Sequence, residues 1–418
     1  MWRSEKDLRK NDPAGSGIRD PRPPVYSSFL PDIQYPASAE ELCRALASAA
    51  SAKEPIELFG ANTKRLMAGR AKPGIQISTA AMTRVVQYEP RDLTISVEAG
   101  MPFAELTRLL AGNGQMVPLD GPYSDEGTVG GVVASNTSGS RRRLYGTARD
   151  LVIGMKFATV EGKLVQSGGM VVKNVAGLDM GKLMIGSFGT LAAIATVNFK
   201  LLPKPPVSRT VLFFFLDDLA AAMEARDAAI RSPINPVAVD LLNPALSELV
   251  GLEGYVLALM FAGSQAVIER SHRDSEAFGT GGALNDEEEQ RFWLAMRNLT
   301  PTHLEKSDLC SVARMGTTLK ECGEALASLE TAGCAHAASG IVRGWFGAPR
   351  GAQKWLKSSA ERGWKGVIEF SGEGARKSLT LWPSPESGAN GDFEIMKRVK
   401  NMFDPEGLLN SGRLYNRI

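Results

Sequence analysis

Histidine and cysteine are scarce in this chain, and their spacing excludes several kinds of site. The three histidines and four cysteines of the 418 residues are His272, His303, His336, Cys43, Cys310, Cys322 and Cys334. Without a CxxC or similar spacing, an iron–sulfur cluster or a zinc site held by this chain alone is not expected. The cysteines indicate reduced thiols; a disulfide between two of the last three is the alternative.

Long apolar runs and an excess of charge are also missing. The longest run, Tyr255–Gly263, is far shorter than the ~20 residues that span a bilayer. The net charge of +2 gives no electrostatic reason to bind nucleic acid or a membrane surface. Residues 1–12 lack the apolar segment of a signal peptide. We therefore expect a cytoplasmic protein.

Glycine, by contrast, is concentrated in one stretch. Gly121–Gly189 contains 14 glycines in 69 residues, where average usage of about 7% predicts roughly 5. Glycines cluster where the backbone turns with positive φ or approaches a ligand closely. Because β-branched runs frame these glycines, the stretch predicts a backbone cradle held on strands. A second candidate is the turn Gly60–Lys64, which ends a predicted strand and suits either a phosphate or an ordinary change of direction.

Changes in composition divide the chain into four parts. Residues 1–36 are rich in proline and charge and predict an arm. The proline run 203–206 predicts a stiff linker. It separates a first domain, 37–205, from a second, 206–385, and a tail, 386–418. The first half predicts an α+β fold, and the second a βαββαβ-like sheet with helices on one face.

Four local expectations can be checked against the structure. Ser38 should cap a helix, with Glu41 completing a capping box. Leu191–Leu202 should be one strand ended by Pro203, and Gly279–Asn285 a loop. Thr317–Thr331 should be one helix.

Several short motifs, in their order and spacing, resemble the FAD-linked oxidases of the vanillyl-alcohol-oxidase type. They are Thr128–Gly131, Tyr145–Gly146, Asp150, Gly162, Lys173–Asp179, Gly186–Leu191 and, near the end of the chain, Phe403–Pro405 and Asn410–Leu414. Within that family, the resemblance is to the FAD-binding subunits of bacterial glycolate oxidase complexes. It implies a PCMH-type FAD-binding domain of two subdomains, a ferredoxin-like α/β cap, and a tail that returns to the flavin domain.

The resemblance also implies which residues meet the cofactor. They are Gly60, Ala61, Asn62, Thr63, Lys64, Thr128, Val129, Gly130, Gly131, Ser135, Asn136, Gly139, Gly189, Thr190, Ile194 and Asn410. Many would offer backbone N–H groups to the pyrophosphate. Lys173 and Asn174 are candidates for tuning the flavin, although Lys173 is equally well explained as a solvated lysine at a strand end.

Departures from the family pattern affect the mode of binding. Ala61 and Asn62 stand where relatives tend to have glycine, Leu178 where an aromatic is common, and Ser411 where proline is usual. No histidine precedes His272, and Cys43 falls on a predicted helix. We therefore expect FAD to be bound non-covalently.

The cap departs further. Hydroxy-acid dehydrogenases of this family share a metal-binding cluster of His, Asp, Asn and Glu in the cap, but Ala335–Arg343 offers His336 alone. His336 is thus expected to be a packed or surface histidine, and no metal is expected. Arg343 could pair a substrate carboxylate, but a surface arginine is the preferred interpretation. No catalytic residue can be assigned.

The resemblance implies a subunit of a glycolate oxidase-type complex that oxidises an α-hydroxy acid, such as glycolate or D-lactate, to the keto acid. Because the cap lacks the cluster, the chain would relay electrons or stabilise the assembly. A paralogous flavin subunit and an iron–sulfur subunit would be its partners, and membrane association would be peripheral and through them. The alternatives are a self-sufficient FAD oxidase and a flavin-fold scaffold without catalysis.

Overall fold

A computed structural model describes residues 33–170, 179–383 and 391–418. Lys173, Asn174, Leu178 and nearly all of the predicted arm lie outside these residues. In the first half, the strands are β1 Ile56–Phe59, β2 Ile75–Ser78, β3 Val85–Glu89, β4 Thr94–Glu98, β5 Gln115–Met116, β6 Val152–Ala158, β7 Leu164–Gly168, β8 Ala193–Lys200 and β9 Leu202–Pro203. The helices there are α1 Ala39–Ser51, α2 Phe103–Ala111, α3 Val129–Ser135, α4 Arg142–Tyr145, α5 Ala148–Leu151 and α6 Gly181–Met184.

The first half contains two small subdomains. In one, α1 packs over the parallel pair β1–β2, and its apolar face joins Ile56 and Ile77 in a common core. Ser38 caps α1 by accepting the backbone N–H of Glu41, as the sequence predicts, but the Glu41 carboxylate accepts from Ala37. In the other, the antiparallel sheet β3-β4-β8-β6-β7 carries α2 and α3.

The second half is built on one eight-stranded sheet. Its strands are β10 Val207–Phe215, β11 Ala238–Leu242, β12 Tyr255–Gly263, β13 Gly281–Ala283, β14 Ser311–Gly316, β15 Gly333–His336, β16 Ile341–Phe346 and β17 Lys365–Ser371. The helices are α7 Leu219–Arg231, α8 Pro244–Leu249, α9 Gln265–Ser275, α10 Asp286–Glu305, α11 Cys322–Ala327, α12 Pro349–Glu361, α13 Glu373–Arg376 and, in the tail, α14 Asp392–Phe403.

The strand order shows that this sheet joins two ferredoxin-like units. The order is β13-β10-β12-β11-β15-β16-β14-β17, and all pairs are antiparallel. Each half of the order has the βαββαβ arrangement, and β11 pairs with β15 where the halves meet. The α+β class, with a flavin-type domain and a cap, is confirmed.

Three of the four local expectations were wrong. The strand expected over 191–202 is interrupted, because Leu202–Pro203 leaves the sheet to pair with β5. The expected loop 279–285 contains β13, the expected helix 317–331 is only α11, and β15 was not predicted. Helix α10 is joined to β10, because Glu289 accepts hydrogen bonds from Ser208 and Thr210.

The tail returns to the first subdomain. Ile56 donates its N–H to Leu408, and Asn410 donates its own to Ile56, so the tail lies beside β1. The buried Asn410 side chain accepts from the N–H of Leu58 at 2.7 Å and donates to the carbonyls of Leu58 and Phe188. The tail therefore links β1 to the loop that precedes β8.

Candidate functional site

A narrow groove of about 110 Å³ lies where β1, α3 and the tail meet. The turn that follows β1 forms one wall, and Gly60 is required there because a Cβ would lie 2.1 Å from Thr128 Oγ1. Asn62 takes the left-handed conformation, with φ 56°, as its short polar side chain allows. Thr128 caps α3 by accepting the N–H of Gly131. The groove is thus lined mainly by backbone and small side chains.

Two cations stand at this groove, the buried Lys64 and the half-buried Arg413. Lys64 lines it, and its ammonium lies 3.5 Å from the carbonyl of Tyr123. Burial lowers the pKa of Lys64 to about 8, despite the nearby Glu126. Arg413 donates to the carbonyls of Lys64 and Gly69, and burial lowers its pKa to about 10. The groove therefore favours an anionic ligand.

Most of the residues assigned to the cofactor from sequence line this groove. They are Gly60, Ala61, Asn62, Thr63, Lys64, Thr128, Gly130, Gly131, Ser135, Gly189, Ile194 and Asn410. Four of the predicted residues do not: Val129, Asn136, Gly139 and Thr190. Val129 is buried in the core, and the Thr190 carbonyl accepts from Lys400.

The groove has the features that FAD would require. A Cβ added at Gly131 would meet only Thr128 Oγ1 within 4 Å, so backbone is open to the groove there. A dianionic pyrophosphate suits a wall of this kind beside Lys64. The residues present fit the cofactor, although its contacts with each of them stay a prediction.

A second and larger cavity, of about 560 Å³, lies between the flavin-type domain and the cap. Gly139 lines it rather than the groove, and its N–H donates to Asp120 at 2.9 Å. Arg141, Arg297 and Trp293 also reach this cavity, and Arg297 forms an ion pair with Asp125 at its edge. A cavity of this size and mixed polarity can admit a small organic substrate.

The cap face of this cavity carries a buried chain of charged side chains. His336 Nδ1 lies 2.8 Å from Asp240 Oδ1, and His336 Nε2 lies 2.5 Å from a terminal nitrogen of Arg343. Arg343 also forms a double hydrogen bond to Glu369 and donates to the carbonyl of Ser138. Burial opposes ionisation of Glu369, yet Arg343 and Arg314 hold its pKa below the ordinary value.

This chain of contacts fixes the state of His336. A guanidinium can only donate, so Nε2 of His336 is the acceptor and Nδ1–H donates to Asp240. The expectation that Arg343 is a surface residue is therefore wrong. Four of its five N–H groups have partners within the protein, so a bidentate bond to a substrate carboxylate is not available as the structure stands.

Sequence reasoning missed this network for an identifiable reason. Asp240 is directly opposite His336 across β11 and β15, and Arg343 is opposite both Cys334 and Arg314. Polar residues at alternate positions of β15 and β16 were the available signal. Because β15 was not predicted, its pairing with β11 and β16 could not be inferred from the sequence.

Comparisons with known proteins support the interpretation of the groove as an FAD site. Residues 33–168 match the model of an FAD binding domain, and residues 384–414 match the C-terminal domain of FAD linked oxidases. The chain belongs to the FAD-linked oxidases with a PCMH-type FAD-binding domain.

Relatives of this FAD-linked oxidase include a glycolate oxidase subunit and a D-lactate dehydrogenase. Glycolate oxidase subunit GlcE of Escherichia coli is 28% identical over 91% of this chain and 98% of its own. D-lactate dehydrogenase of Archaeoglobus fulgidus is 26% identical over 96% of this chain and 95% of its own. A solved alkyldihydroxyacetonephosphate synthase has a TM-score of 0.67 at 16% identity, covering 91% of this chain and 76% of its own, which supports the fold. Within the described residues, no helix is long and apolar enough to span a membrane.

Proposed function

We propose that this chain is a non-covalent FAD-binding subunit of a glycolate oxidase-type complex, which oxidises an α-hydroxy acid to the keto acid. In this complex, its own role would be to relay electrons or to stabilise the assembly. The observation that carries this role is the His336–Arg343 contact. A base that takes the hydroxyl proton must present a free lone pair to the substrate, and here the guanidinium occupies that of His336.

The groove residues would bind and orient the cofactor. Lys64 and the backbone of Gly60–Thr63 would hold the pyrophosphate, and Asn410 would fix the turn on which they lie. Bound FAD would supply two-electron redox chemistry. Its attachment would be non-covalent because the wall at Ala61 and Asn62 offers no nucleophile, and Cys43 of α1 is not among the lining residues.

The expected partners follow from what the chain lacks and from its relatives. A paralogous flavin subunit would oxidise the substrate, and an iron–sulfur subunit would carry electrons, with any membrane association made through these partners. The similarity to a glycolate oxidase subunit over 91% of the chain supports this proposal.

The test is a visible spectrum of the purified chain before and after acid precipitation, followed by anaerobic glycolate or D-lactate. We expect yellow absorbance that is released from the protein by acid precipitation. Glycolate or D-lactate should bleach this absorbance only when the partner subunits are added. Bleaching of the isolated chain at an enzymatic rate, above about 1 per second, would contradict the relay role. It would favour the alternative of a self-sufficient oxidase, for which the 560 Å³ cavity leaves room. A colourless chain that takes up no FAD would instead indicate a scaffold.

A further inference from the structure

Three potential metal ligands lie together on the cap face of the large cavity. The side-chain donors of Asp240, Cys334 and His336 all lie within 4.8 Å of one another and are buried. Whether a divalent ion fits here depends on which lone pairs remain free.

The histidine has no lone pair to offer. Nδ1 of His336 carries the proton donated to Asp240, and Nε2 accepts from Arg343. A metal-bound histidine normally keeps one nitrogen for the ion and donates the other N–H to a carboxylate or carbonyl. His336 already donates its Nδ1–H to the Asp240 carboxylate in this way. The Arg343 guanidinium occupies Nε2, the nitrogen that an ion would bind.

The other two potential ligands, Asp240 and Cys334, are also poorly suited to bind an ion. Asp240 accepts from His336 on one carboxylate oxygen and from Ser140 on the other. The Cys334 thiol is buried, and its sulfur lies within 4.8 Å of an Asp240 carboxylate oxygen. A thiol must lose its proton to bind a metal well.

Guanidinium groups already neutralise the local carboxylates without an ion. Asp240 and Glu369 supply two negative charges, and Arg343 contacts the second directly. A second guanidinium, that of Arg314, lies 3.6 Å from Glu369. A divalent cation would bring two further positive charges against these guanidinium groups.

We propose that the Arg343 guanidinium occupies the place of a metal ion in this cap, and that its presence keeps the site metal-free. The cation is then part of the protein: it locks His336 in one tautomer and neutralises Glu369. This inference concerns the cap alone and does not depend on the relay role.

The experiment is equilibrium dialysis of the untagged, flavin-loaded chain against Co²⁺, with the bound metal measured by elemental analysis and by the high-spin Co²⁺ EPR signal. We expect the wild type to bind no more Co²⁺ than the His336→Ala variant, which measures the background. Arg343→His replaces the cation with a ligand and should gain stoichiometric Co²⁺. Arg343→Lys is the matched control: it keeps the charge and should bind no more than the wild type.

Specificity and folding are tested in the same series. The gain in Arg343→His should vanish in the double variant Arg343→His/His336→Ala. Stoichiometric Co²⁺ on the wild type that disappears in His336→Ala would overturn the proposal. So would an Arg343→His variant that keeps its flavin and its Tm yet binds no Co²⁺. The wild-type measurement stands by itself if Arg343→His does not fold.

Discussion

Gly131 differs from Gly60 in the space around it, although both line the flavin groove. A Cβ at Gly60 would meet Thr128 Oγ1 at 2.1 Å, whereas a Cβ at Gly131 would have only that oxygen, at 3.2 Å, within 4 Å. The first glycine is needed for packing, and the second leaves space for a ligand.

A pair of alanine substitutions separates these two roles. Gly131→Ala adds up to about 1 kcal/mol of helix propensity, which the 3.2 Å approach of its Cβ to Thr128 Oγ1 offsets. Its stability should therefore change little, while FAD binding weakens because the methyl group enters the groove. Gly60→Ala should lower stability, since the turn must move away from α3. Thermal unfolding of the apoprotein and fluorescence titration with FAD measure both effects. Equal FAD affinity for Gly131→Ala and the wild type would contradict the placement of the cofactor.

Lys64 should make the stability of the apoprotein depend on pH. Its folded pKa of about 8 lies below the ordinary lysine value of 10.5. Between these values the unfolded chain binds more protons, so the free energy of unfolding rises with pH from about 8 to about 10.5. The gain from this group is at most about 3 kcal/mol.

The measurement for Lys64 is urea denaturation of apoprotein across this pH range, for the wild type and Lys64→Met. We expect the unfolding free energy of the wild type to rise steadily relative to that of Lys64→Met as pH rises. A difference that does not change with pH would show that Lys64 is not buried as an ammonium.

At the scale of the element, the junction between α14 and the part of the tail that follows it depends on one buried ion pair. Lys400 donates to Asp404 at 2.5 Å and to the carbonyls of Thr190 and Leu409, while Asp404 also accepts the N–H groups of Leu408 and Leu409. The pair thereby positions the tail strand beside β1.

Breaking this pair from one side should be costly. Lys400→Met leaves the Asp404 carboxylate buried without its counterion, and we expect a loss of about 3–5 kcal/mol. The double variant Lys400→Met/Asp404→Asn removes the uncompensated charge and should recover part of that loss. A double-mutant cycle from chemical denaturation checks this, and strictly additive losses would argue against direct coupling.

At the scale of the whole molecule, the cap network also joins the two halves of the chain. Ser140 donates to Asp240, and the Ser138 carbonyl accepts from Arg343, so the same side chains that line the cavity connect the domains. The pair Arg297–Asp125 crosses the same boundary at the partly exposed edge.

The buried and exposed contacts across this boundary should differ in strength. Asp240→Ala leaves the Ser140 hydroxyl and the Nδ1–H of His336 without an acceptor, and we expect a loss of about 1–3 kcal/mol for each donor left unsatisfied. Arg297→Ala removes a screened pair at the edge and should change stability by less than about 1 kcal/mol. Their Tm values make the comparison, and similar losses would show that the edge pair matters more than its exposure suggests.

The sequence by itself determined the flavin-type domain. Gly60 and Thr128–Gly131 form a turn and a helix cap, which require particular residue types over a few positions. The resemblance to the family pointed to Asn410, whose contacts with Leu58 and Phe188 are long-range. Only the tertiary structure decided the cap. Asp240, His336 and Arg343 are separated by up to 103 positions, and they meet through strand register and the pairing of two βαββαβ units. Register is set by long-range packing, which the short and unrecognised strand β15 did not reveal.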